Sequence, residues 1–309
     1  MYSSTTTHLL QIRQIVFFFS LAFHLHCLAQ NSQHDDTLLP FYRVFGKGQP
    51  VLIINGGPGM NSNGFSEVAQ KIADLGYQTI TFDQRGTGNS KLDTLNEKTI
   101  TMDAMADDIE RLRQHLNIEQ WTVLGHSFGG LMACHYYAKY PEHVDKLIFS
   151  SSGGVNLNFM NYLQSRIQNN LTPDQRDSLK FYQNKLANGD TSRNTRVKRA
   201  EFLANAYVVN KSYTKRIAGR LMELNPEVNS LVIQNLRNMH FDYFGKFLQS
   251  KTPVLVIQGT NDIISTETAE QIRASFGNAD IRLISNCAHY GWLDRPDEYF
   301  GAIRAFLEQ

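Results

Sequence analysis

The chain has 309 residues, 42% apolar and 19% charged, with 30 basic against 29 acidic residues and a formal charge of +1. That length and apolar content bury a sizeable core and exclude a disordered or fibrous chain. The balanced charge, with no basic run beyond TRVKR at 195–199, argues against a nucleic-acid partner.

At the N-terminus Arg13 precedes the apolar run IVFFFSLAF at 15–23, and small residues follow near CLAQN. This is the order of a secretory signal peptide spanning 1–29, with cleavage after Ala29. The run is shorter than the roughly 20 apolar residues that cross a bilayer, so no stable membrane span is expected. The expected location is periplasmic or secreted, with an uncleaved anchor as the alternative. Cleavage leaves Cys134 and Cys287, which are expected as unpaired thiols.

Beyond the leader, apolar and β-branched runs at 41–46, 51–55, 77–83, 121–125, 146–152, 253–259 and 280–285 predict strands. Several are apolar on consecutive positions, as strands covered on both faces are. Amphipathic stretches such as SEVAQKIADLG and MADDIERLRQHL lie between them and predict helices. Strand and helix in alternation predict an α/β class with a mostly parallel central sheet flanked by helices. The alternation stops over 153–252, where five successive helical patterns predict an inserted all-helical cap, with Thr172 and Pro173 as N-cap and first position of one helix. The core is therefore expected in two parts, 30–152 and 253–309.

GHSFGG at 125–130 follows a strand and opens a helix. G-x-S-x-G in that context is a sharp turn that lifts a serine hydroxyl above the carboxyl edge of the sheet. Ser127 is the candidate nucleophile. A hydroxyl needs a base to take its proton and a carboxylate to hold that base. Asp262, just past one late strand, and His289, just past the next, stand in the order serine, acid, histidine. His126, His135, His143, Asp294 and Asp297 compete poorly, the last two being explained by helix capping. With no H-E-x-x-H or similar ligand spacing, the sequence implies neither a metal nor a cofactor.

The loop GGPG at 56–59 lacks the spacing of a dinucleotide fingerprint and the lysine of a P-loop. After this strand, an acyl hydrolase needs a backbone N–H for the oxyanion, and the residue after the nucleophile supplies a second. Pro58 has no N–H, so Gly57 and Phe128 are the candidate oxyanion donors.

Together, GGPG at 56–59, DQRGTGNS at 83–90 and GHSFGG at 125–130 resemble the prolyl aminopeptidase (proline iminopeptidase) family of serine peptidases, within the α/β-hydrolase superfamily. The resemblance implies an α/β-hydrolase fold, a helical cap over a Ser-Asp-His triad, and release of an N-terminal proline or another small residue from short peptides. An esterase or other small-acyl hydrolase on the same triad is the alternative. Asp83 and Arg85 are expected to brace the oxyanion loop. The chain departs from the family in having Asn55 in place of a histidine and no tryptophan in the cap. An aminopeptidase needs an anion for the substrate ammonium. Glu201 is the first cap candidate, followed by Glu223, Glu227 and Asp242. The expected partner is a small-molecule or short-peptide substrate, and the sequence leaves the oligomeric state open.

Overall fold

The structure, a computed structural model, describes residues 39–309. The leader expected over 1–29 lies outside the described residues. Strand β1 (Tyr42–Phe45) is followed by β2 (Pro50–Ile54), helix α1 (Ser66–Ala73), β3 (Gln78–Phe82), α2 (Met102–His115), β4 (Trp121–His126), α3 (Phe128–Lys139) and β5 (Val144–Ser150). Five α-helices then run in succession: α4 (Leu163–Asn169), α5 (Pro173–Ala187), α6 (Arg193–Ala204), α7 (Thr214–Leu221) and α8 (Pro226–Asn238). The chain returns to the sheet with β6 (Val254–Gly259), α9 (Thr266–Arg273), β7 (Ala279–Ile284), α10 (Gly291–Asp294) and α11 (Pro296–Leu307).

The seven strands form one sheet in the order β1-β3-β2-β4-β5-β6-β7, with β1 antiparallel to β3 and every other pair parallel. Alternate side chains of each strand feed two cores. Leu52, Ile54, Ile80, Phe82 and Val123 pack with residues of α2 and α3 on one face. Val51, Ile53, Leu124, Ile148 and Ile257 pack with α1 and α11 on the other. Burial on both faces is why these strands read as continuous apolar runs.

Two local features place the site. The chain leaves β2 for β3 on one side and later returns to β4 on the other, so the loops after β2 and β4 open at a topological switch point. The helical segment between β5 and β6 arches over these carboxyl ends. It starts its longest helix with a capping box in which Thr172 and Gln175 satisfy each other's amides, and Pro173 fills the first position.

Candidate active site

Ile54 of β2 pairs with Gly125 of β4, so the loop after β2 lies beside the turn that carries Ser127. Ser127 adopts φ 54° and ψ −120°, a conformation few non-glycine residues hold, and the turn is fixed by its neighbours. Its amide donates to the Ser150 carbonyl at 3.0 Å, and its carbonyl accepts from Gly153 N at 3.1 Å. The flanking glycines are required by close approach. A Cβ on Gly125 would lie 2.3 Å from the Gly129 carbonyl oxygen, and one on Gly129 would lie 2.1 Å from that of Ile54.

Asp262 and His289 meet across the ends of β6 and β7. The His289 ring donates from Nδ1 to Asp262 Oδ1 at 2.8 Å, which leaves Nε2 as the basic nitrogen. Asp262 is fully buried and also accepts from Ile264 N at 3.0 Å and Gln258 Nε2 at 2.8 Å. Three donors therefore satisfy a carboxylate that burial alone would penalise. The His289 amide donates to the Tyr207 carbonyl of the cap at 3.0 Å, and the Tyr207 ring stands edge-on to the imidazole at 5.3 Å. Ser127 and His289 line the same cavity, of about 340 Å³, together with Gly57 and Phe128.

The backbone amide of Phe128 is the first of α3, so the helix provides it no acceptor. Gly57 holds φ 69°, and a Cβ there would meet Met60 Sδ at 2.6 Å. Residues 49–296 match the family model described as alpha/beta hydrolase fold.

The chain belongs to the α/β-hydrolase fold family. It is 25% identical over 289 residues to the proline iminopeptidase of Lactobacillus helveticus (strain DPC 4571), covering 87% of this chain and 94% of that protein. Among solved structures it resembles the proline iminopeptidase of Mycobacterium smegmatis, with a TM-score of 0.68 and 20% identity over 87% of this chain and 94% of that one. An esterase from Exiguobacterium antarcticum matches with a TM-score of 0.67 and 18% identity, over 87% and 95% of the two chains. These structural likenesses show the fold.

In this α/β-hydrolase the loop after β2 is held from three sides. Asn55, fully buried, donates from Nδ2 to the carbonyls of Gly56 and Met60, each at 3.0 Å, and so ties the loop across its own mouth. Asp83 accepts from Ser62 N and Ser62 Oγ at 2.8 and 2.7 Å, bracing the far end of the loop. The cap supplies the third side. Asn229 Nδ2 donates to Pro58 O at 2.9 Å, Asn225 N donates to Gly59 O at 2.8 Å, and Arg220 donates to Asn61. Arg85 takes no part in this bracing. It forms a buried bidentate pair with Asp108 of α2 at 2.6 Å and donates to Thr99 O, anchoring its own loop to the helix.

Neither first-ranked amine candidate reaches the cavity wall. Glu201 pairs with Lys198 on the outer side of α6 at 2.8 Å, with 36% of its side chain exposed. Glu223 is ion-paired with Arg220 at 2.6 Å and faces a neighbouring cleft beside Gly64, Arg216 and Gly219. Glu227 and Asp242 are exposed and also absent from the cavity wall. The reason is geometric: α6 and α8 turn Glu201 and Glu227 away from the cavity, and Glu223 and Asp242, both exposed, lie in the segments that follow α7 and α8. The inward-facing Arg199 was not legible as such, because TRVKRAE offers adjacent polar positions that differ only in where packing points them.

His126 is buried beside the site, 4.7 Å from the His289 ring, with Nδ1 at 3.3 Å from Ser150 Oγ. Burial, reinforced by the charges of His289 and Arg220, holds its imidazole well below the ordinary histidine range. Burial likewise pushes the Tyr207 phenol up to about 12, with the Asp262 charge adding to the effect, so Tyr207 stays neutral at ordinary pH. Asp294, expected as a helix cap, caps neither α10 nor α11. It accepts from Ala288 N at 2.8 Å, Val209 N at 3.0 Å and Asn210 N at 2.9 Å, tying the segment before His289 to the cap. Cys134 and Cys287 are buried free thiols.

Proposed function

We propose that this α/β-hydrolase is a serine hydrolase that cleaves a carboxylic ester or amide of a small substrate through an acyl-enzyme on Ser127. The observation that carries this reading is the 2.8 Å bond from His289 Nδ1 to the buried Asp262, on the wall of the cavity that Ser127 also lines. Ser127 Oγ attacks the carbonyl carbon as His289 Nε2 takes its proton. Asp262 fixes the tautomer and stabilises the imidazolium. The amides of Gly57 and Phe128 receive the developing oxyanion. Collapse breaks the bond to the leaving group, which takes the proton from His289, and water then repeats the sequence to release the acid.

Aminopeptidase action on short peptides, releasing proline or another small N-terminal residue, is the second reading. It is favoured by the likeness to the L. helveticus proline iminopeptidase over 87% of the chain. The cavity wall favours an ester or other small acyl compound, since no Asp or Glu among the described residues lines it to pair with a substrate ammonium. Export by the leader at 1–29 is part of the proposal, supported by Arg13 and the apolar run after it. The deciding experiment pairs proline and alanine arylamides, free and N-blocked, with short-chain aryl esters. Turnover of free arylamides that N-blocking abolishes establishes the aminopeptidase, and turnover of esters alone establishes the esterase. Full activity in Ser127→Ala would overturn both.

A further inference from the structure

The cavity above Ser127 is apolar over most of its wall, through Phe159, Leu203, Leu221, Ile233 and Ile264. The groups of permanent charge on that wall are both cations, Arg199 of α6 and Arg220 of α7. Arg220 is already occupied, donating to Asn61 Oδ1 at 2.8 Å and to Glu223 Oε2 at 2.6 Å. Arg199 differs. Among the described residues its guanidinium makes no hydrogen bond, ion pair or cation–π contact, whereas Lys198 beside it pairs with Glu201. Arg199 is a partly buried residue on a mostly apolar wall, so its guanidinium presents donors that an anion in the cavity can fill. Arg199 lines the same cavity as Ser127, His289 and Tyr207, whose ring packs on His289, so such an anion would sit in the same chamber as the reacting bond.

We propose that Arg199 is the specificity residue of this cavity, serving as counter-ion for a carboxylate carried by the substrate at a distance from the scissile carbonyl. The inference rests on the acyl-transfer reading of Ser127 and deepens it by naming the substrate class: small apolar acyl compounds bearing an anionic group. The planar, five-donor guanidinium matches a carboxylate bidentately and repels an ammonium at the same point.

The test uses the full chain and 4-nitrophenyl esters of one chain length whose acyl end is a methyl, a carboxylate or an ammonium. A second series carries the same three ends on the leaving alcohol. In at least one series the carboxylate ester is expected to exceed the ammonium ester in kcat/KM by about tenfold or more. Arg199→Lys is expected to keep that order with a smaller ratio, and Arg199→Glu to reverse it. A wild-type preference for the ammonium or neutral ester in both series overturns the proposal, as does a ratio unchanged in Arg199→Glu. A parallel readout follows labelling of Ser127 by a fluorophosphonate, with octanedioate or octylamine as protectant. Stronger protection by the dianion, lost in Arg199→Glu, supports the proposal even where turnover of the esters is slow, and equal protection by both overturns it. Absence of labelling altogether refutes instead the acyl-transfer reading beneath it.

Discussion

Arg166, on the cap helix α4, donates from Nη2 and Nε to the main-chain carbonyl of Asp262, at 2.6 and 3.1 Å. The cap therefore grips the Asp262 loop from behind while the Tyr207 carbonyl grips His289. Removing this guanidinium leaves a carbonyl short of two donors and frees the loop. Arg166→Ala is expected to cost about 1 to 3 kcal/mol of stability. It should also lower kcat more than it raises KM, because Asp262 contacts the base and lies off the cavity wall. Thermal unfolding and steady-state kinetics check this, and Arg166→Lys should rescue poorly because one ammonium cannot reproduce the fork.

Ser127→Ala is expected to lower kcat by about 10³-fold or more and to abolish fluorophosphonate labelling, with an unchanged far-UV circular dichroism spectrum. Asp262→Asn is expected to fall by roughly 10⁴-fold in kcat with little change in KM, since the amide can hold the imidazole in the wrong tautomer. Near wild-type rates in either variant would remove that residue from the mechanism.

Asn55 holds the loop after β2 by donating to two carbonyls, so the sign of its replacement depends on donor capacity. Asn55→Asp turns the donor into an acceptor facing two carbonyl oxygens. It is expected to destabilise more than Asn55→Ala, which loses about 1 to 3 kcal/mol. Either change lets the Gly57 amide drift, with an expected loss of roughly 10²-fold in kcat. Urea unfolding of the two variants gives the order, and the reverse order would refute the bracing role.

The buried His126 fixes a sign for acid stability. Its imidazole is held below the ordinary value of 6.5 in the folded chain, so below that value the unfolded chain binds more protons. The stability it contributes is complete above about pH 6.5 and is lost as pH falls toward the folded value. His135, also lowered by burial although Asp103 opposes the effect, acts in the same direction. The melting temperature is expected to fall between about pH 6.5 and 5, and to fall less steeply in His126→Asn. Equal slopes in the two proteins would show that the ring is not protonated on unfolding.

The strands, the sharp turn at Ser127 and the positions of Asp262 and His289 past strand ends were legible because each is a local signal. A strand buried on both faces must be apolar at consecutive positions, and a serine turn whose flanking Cβ would lie 2.1 Å from the Ile54 carbonyl oxygen admits only glycine there. The family match over 49–296 agrees with that reading of the fold. The partners of Arg85 were not legible, since DQRGTGNS shows a charged loop but not that Asp108, 23 residues on, would turn inward to meet it. Asp294 shows the same limit: beside a helix start it reads as a cap, yet its three donors come from residues 209, 210 and 288.

What the sequence determined by itself is the framework: an alternating α/β sheet with a helical insertion and chemistry-bearing residues at strand ends, because period and turn chemistry are written in neighbouring residues. Only the tertiary structure decided what the cavity wall offers a substrate. Glu201 and Arg199 stand two residues apart on one helix, and packing turns one to solvent and the other to the chamber above Ser127. The GGPG loop, whose glycines and proline the sequence displayed openly, owes its position to Asn55, Asp83, Asn225 and Asn229. Asn55 is the loop's immediate neighbour, but Asp83, Asn225 and Asn229 come from distant parts of the chain and meet it only because the sheet and cap bring them together.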